Sequence, residues 1–87
     1  MNIIEHLQSL FPDAYEVELE RWAAGGREYA AKLDKLPAPE QEAVAQLFAC
    51  HGMSRSAEDR RAYRAAIDVV IKPWYPRAGG SHERSAR

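Results

Sequence analysis

Tyr15, Leu19, Trp22, Gly26, Tyr29, Leu33 and Leu36 follow one another at steps of 4, 3, 4, 3, 4 and 3 residues. That alternation puts every member on one side of an α-helix, and over three heptads it forms the seam of a helix packed lengthwise against others. A chain holding this stretch must cover a long apolar stripe, so the remaining segments are read for what covers it. The spacing predicts a helix over residues 14–36. Gly25-Gly26 falls inside it, and each glycine costs about 1 kcal/mol relative to alanine in a helix interior, while glycine also commonly stops helices. The register continues through the pair, which leaves one helix with a weak point or two nearly collinear helices. Gly26, on the seam itself, leaves room for another backbone to come close.

Three shorter helices surround this one in sequence. Asn2 and Glu5 have the spacing of an N-cap and its reciprocal acid, and Ile3, Ile4, Leu7, Leu10 and Phe11 recur at helical intervals, predicting a helix over 3–10. Pro12 ends it, and Asp13 with Glu16 repeats the capping signature before the seam helix. After Pro37-Ala38-Pro39, with Pro39 as first helical residue, Val44, Leu47, Phe48 and His51 share a face of a helix over 40–51, and Gly52 supplies a stop. Ser56, followed by Glu58 and Asp59, caps a last helix over 57–71. Its Ala62, Tyr63, Ala66, Ile67, Val70 and Ile71 face one way, while Arg60, Arg61, Arg64 and Asp68 face another. No segment alternates with period two, so the fold class is all-α, a bundle of about four helices.

The 87 residues suit one domain, because two would each approach the roughly 40-residue floor for an unassisted core. We place it at 1–76, with a tail over 77–87 that has no apolar side chain larger than alanine and is expected to be disordered. No apolar run approaches the 18 or so residues of a membrane span. The first residues lack a basic segment followed by an apolar one, and Cys50 has no second cysteine to pair with; together these favour a cytoplasmic protein. The formal charge of −1 hides a division: residues 1–44 carry nine acids against four bases, and 45–87 carry four acids against eight bases. Such a charge dipole suits head-to-tail self-association or a polarised partner surface.

Reactive chemistry finds little purchase. Cys50 and His51 are consecutive on a helix, so their side chains diverge by about 100° and make poor co-ligands or a poor nucleophile–base pair. No Gly-rich phosphate loop or paired-ligand spacing is present, so no cofactor, no metal and no enzymatic activity are expected. Cys50 reads as a buried thiol and His6 as a partly packed surface residue. The segment from Leu47 to Ala57, followed by Arg60, Arg61 and Arg64, resembles a helix-turn-helix, which implies DNA contact through Arg55, Arg60, Arg61 and Arg64. The plain alternative for the same residues is a helical hairpin with a solvated arginine face.

The expectation that follows is a non-enzymatic protein-interaction module of regulatory, accessory or inhibitory type, in the size range of such proteins from phage and mobile elements. Glu16 and Glu20 offer it an acidic surface, and Trp22 and Tyr29 are aromatic anchors on the seam. Trp74-Tyr75, framed by Pro73 and Pro76, either folds back on the core or forms a hook for a partner. The partners expected are a protein or a second copy of the chain, with nucleic acid as the alternative and no membrane.

Overall fold

The computed structural model describes residues 3–75, which form four α-helices and no strand. α1 spans Ile3–Leu10, α2 Glu16–Ala31, α3 Ala38–Met53 and α4 Ala57–Ile71. The all-α expectation is met, and the first and last ranges coincide with those read from the spacing. The Asn2 cap and the expected disordered tail over 77–87 lie outside the described residues. None of these helices is long and apolar enough to cross a membrane.

α3 is the central element. It packs against all three other helices and α1 also packs against α2, whereas among the described residues no Cα of α2 comes within 8 Å of a Cα of α4. The sequence of α3 accounts for this, because its buried residues Val44, Ala45, Ala49, Cys50 and Met53 ring most of the helix rather than forming one stripe. Ala45 and Ala49 serve the side of α2, and Cys50 turns to α4, where it hydrogen-bonds with Tyr63. Among the described helices α4 packs against α3 alone, so its buried stripe is narrow: Ile67 is buried, and Tyr63, Val70 and Ile71 pack in part. Ala62, expected on the core side, is exposed for that reason.

α2 and α3 approach closely through small residues. Ala23, Gly26 and Ala30 lie on the buried side of α2, and a methyl group added at Gly26 would collide with the carbonyl oxygen of Ala45. The backbone for which Gly26 leaves room is thus α3. Gly52 plays the reciprocal part, since the Trp22 ring fills the space its side chain would need. It is therefore an interior residue of α3 and not the stop expected at that point, and α3 runs on to Met53.

The limits of α2 also differ from 14–36. Asp13 is used in a turn, closed by Ala14 N–H donating to the Phe11 carbonyl at 3.1 Å, so the N-cap falls to Tyr15, which makes no side-chain cap bond. Tyr15 is 79% exposed and leaves the seam. At the other end Lys32 N–H donates to Tyr29 O at 3.1 Å and Leu33 N–H to Ala30 O at 2.9 Å, tightening the last turn and ending the helix at Ala31. Leu33 and Leu36 still pack inward, from a turn rather than from a helix. The helix is continuous through Gly25-Gly26. α3 begins at Ala38, one residue before the expected Pro39, with Gln41 N–H donating to Pro37 O at 2.9 Å. Ser56 caps α4 as expected, accepting from Asp59 N–H at 2.9 Å.

Candidate interaction surface

The two outer helices stand apart with α3 between them, and this leaves an open trough. His51 and Met53 are two residues apart on α3 and so diverge by about 200°. Met53 is buried near Leu10 and Phe11, beside the end of α1, while His51 and Phe48 are half-buried in the trough on the other face. Tyr29 of α2 forms one wall and Arg64, Ile67 and Asp68 of α4 the other, and Trp22 and Gly25 line an adjoining depression that shares Tyr29 and Phe48 with it. The floor is aromatic. Tyr29 stacks on Phe48 with centroids 5.0 Å apart, and Trp22 lies tilted beside Phe48 at 6.5 Å.

Helical geometry explains why these side chains meet. At about 100° per residue, Arg21, Trp22, Glu28, Tyr29 and Lys32 all fall within about 60° of the direction of Gly25. The buried residues Leu19, Ala23, Gly26 and Ala30 centre roughly 130° away, against α3. α2 therefore has two working faces, and the aromatic pair marks the border between them. Gly25 lies at the middle of the open face. A methyl group there would meet only Phe48, at 3.5 Å, which is ordinary contact. Packing among the described residues thus gives no reason for a glycine at position 25.

Charge collects along the trough. Arg21 and Lys32 from α2 and Arg60, Arg61 and Arg64 from α4 line it, against Glu28 and Asp68, and His51 adds a titratable group. Five cations against two anions is a local excess of positive charge on a chain of formal charge −1. Three of the four arginines singled out in the sequence thus share one depression with His51. Arg55 does not join them; it lines a separate cavity with Phe11, Asp13, Met53, Asp59 and Tyr63. Arg60 Nη1 also donates to Ser54 O at 3.2 Å, tying the arginine to the α3–α4 turn.

The proposed partner residues separate into three places. Trp22 and Tyr29 come together at the trough. Glu16 and Glu20 are exposed on α2 but point away from it, on the side beyond the buried face. Tyr75 folds back onto the α2–α3 loop: its hydroxyl accepts from Lys35 N–H at 3.0 Å and donates to Asp34 Oδ1 at 3.3 Å, and Lys35 Nζ sits 5.6 Å from its ring centroid. Trp74 stays 38% exposed beside it. Sequence reasoning missed Arg21, Gly25, Glu28 and Phe48; the 17–21–25–28–32 spacing on α2 was the available signal, hidden because only apolar residues were counted.

Cys50 is buried, and burial raises its thiol above the usual range near 9, partly offset by the hydrogen bond from Tyr63. The Tyr63 hydroxyl is raised as well, chiefly by its own burial. Such a thiol stays protonated at neutral pH and lacks nucleophilic character. Among the described residues no group of three His, Cys, Asp or Glu side chains is placed to hold a metal ion. Comparison with protein-family models, with curated proteins and with solved structures finds no match to this chain.

Proposed function

We propose that the chain is a non-enzymatic interaction module, of accessory, regulatory or inhibitory type, which receives a helix of a protein partner in the trough between α2 and α4. One observation carries the reading: among the described residues α2 and α4 flank α3 with no Cα of one within 8 Å of a Cα of the other, and the gap between them is floored by Phe48 and Tyr29 rather than closed by a further helix. Half-buried aromatic residues beside exposed arginines are the composition of interface anchors. The excess of cations along the walls favours an incoming helix with acidic flanks around an apolar or aromatic centre.

The test is site-specific photo-cross-linking, with a benzophenone side chain replacing Phe48 in one variant and the exposed Gln8 of α1 in another. Protein adducts from position 48 and none from position 8 are the expected result. Equal yields from both, or none from either, refute the reading. A second reading, duplex DNA against α4, is favoured by the convergence of Arg60, Arg61 and Arg64, although Glu58, Asp59 and Asp68 balance their charge on the same helix. It requires binding at low salt that weakens steeply as salt rises, and a duplex titration without such binding removes it.

A further inference from the structure

We infer that the partner helix is α2 of a second copy, seated on the Gly25 face at the edge of this trough beside Phe48, the two α2 helices running antiparallel and crossing where Gly25 meets Gly25. The inference rests on the reading of the trough as a docking surface and names its occupant.

The first support is the glycine itself. Gly25 sits at the centre of a 16-residue helix, where it costs about 1 kcal/mol relative to alanine, and none of the described residues needs the space. A backbone approaching from outside would need it, as α3 needs Gly26 on the adjacent face.

The second support is charge. Arg21 lies four residues before Gly25 and Glu28 three after it, so antiparallel pairing about Gly25 sets each Arg21 against Glu28 of the other copy. Glu18 and Lys32, seven before and seven after, oppose in the same way. A two-fold axis across the helices also turns like flank onto like flank. The charged flank holding Arg21 and Glu28 then meets its counterpart, and Trp22 meets Tyr29 of the other copy beside Phe48. Parallel pairing would instead turn the Arg21–Glu28 flank onto the aromatic flank of Trp22 and Tyr29, leaving these charges without opposite partners, so the charge pattern favours the antiparallel arrangement. The face of α2 that would be buried also carries the aromatic pair expected of an incoming helix, flanked by two acids, Glu18 and Glu28.

The experiment is sedimentation equilibrium on the full chain and on four variants, with photo-cross-linking from position 48 alongside. The intact chain is expected as a reversible dimer. Gly25→Ala is expected to weaken it about tenfold or more, because the added methyl groups meet at the crossing point. Arg21→Glu and Glu28→Arg are each expected to weaken it about tenfold or more, since each change acts twice across the axis. The double variant R21E/E28R restores the opposite charges and is expected to recover most of the affinity. A chain that stays monomeric into the millimolar range overturns the inference, as does Gly25→Ala that dimerises unchanged, or a double reversal no better than either single. If the chain is monomeric yet position 48 cross-links to a protein of another mass, the second copy is excluded and the docking reading stands. If it is monomeric and position 48 yields no adduct, both fail.

Discussion

The adjacent glycines of α2 should respond to alanine with opposite signs. Either substitution removes the cost of a glycine in a helix interior, about 0.8–1 kcal/mol in favour of the folded chain. At position 25 nothing opposes this gain, because the new methyl group lies at ordinary contact distance from Phe48. At position 26 it would overlap the Ala45 carbonyl oxygen and sit 3.1 Å from the carbonyl carbon, and a backbone carbonyl held in a helix cannot swing aside. Relief requires α2 and α3 to part by about 1 Å, and a gap of that size forfeits roughly a quarter to a half of each contact along Leu19, Ala23 and Ala30. Overpacking of this kind costs about 1–3 kcal/mol or more, which exceeds the helical gain. With about 4–8 °C per kcal/mol for a domain of this size, Gly25→Ala should raise the melting temperature by roughly 4–8 °C. Gly26→Ala should lower it, by up to about 15 °C after the helical gain is subtracted. Circular-dichroism melts at low micromolar concentration, where association adds little, measure both. Shifts of the same sign would refute the close approach at Gly26.

Three further outcomes follow from individual contacts. Ser56→Ala removes the oxygen that accepts from Asp59 N–H, and urea denaturation should find a loss of about 1 kcal/mol, with no loss for Ser56→Asp. Tyr75→Phe deletes both hydrogen bonds to the α2–α3 loop, and because they are exposed the cost should stay near 1 kcal/mol, with faster amide exchange at Lys35 as the local readout. Because the Cys50 thiol is raised in the fold, its contribution is intact below about pH 9, where both folded and unfolded chains keep the proton. Above that pH the unfolded chain ionises first, so stability falls with rising pH; Cys50→Ala should start lower and decline less steeply in melts between about pH 7 and pH 10.5.

Much of the fold was legible because helical spacing and caps are local. Pro12, the Pro37–Pro39 stretch and the Ser56 cap marked where helices change, and the 3–10 and 57–71 ranges emerged as read. What was not legible depends on neighbours in space. The seam carried on past Ala31 because Leu33 and Leu36 are buried in either conformation, so periodicity alone could not distinguish a helix from a tight turn. Gly52 reads as a stop in sequence, and only the Trp22 ring against it explains its place inside α3. The site was half legible. Trp22 and Tyr29 stood out as anchors, but Phe48 counted as a core residue until α2 and α4 were seen not to meet over it. The roles of Gly25 and Gly26 differ only because α3 lies on one side of α2, a fact absent from the local sequence.

The account turns on the face of α2 centred on Gly25 being covered by the same face of another copy. The direct measurement is mild oxidation of single-cysteine chains in a Cys50→Ala background, with Gly25→Cys in one and Ala24→Cys in the other. Position 24 is exposed and lies about 100° round the helix from position 25. A two-fold crossing at Gly25 brings the two Cα atoms within the 7 Å or so that a disulfide tolerates. The new side chains weaken the dimer as Gly25→Ala does, but oxidation traps each encounter covalently, so Gly25→Cys is predicted to form covalent dimer many times faster than Ala24→Cys. Equal, slow oxidation of both chains would contradict it.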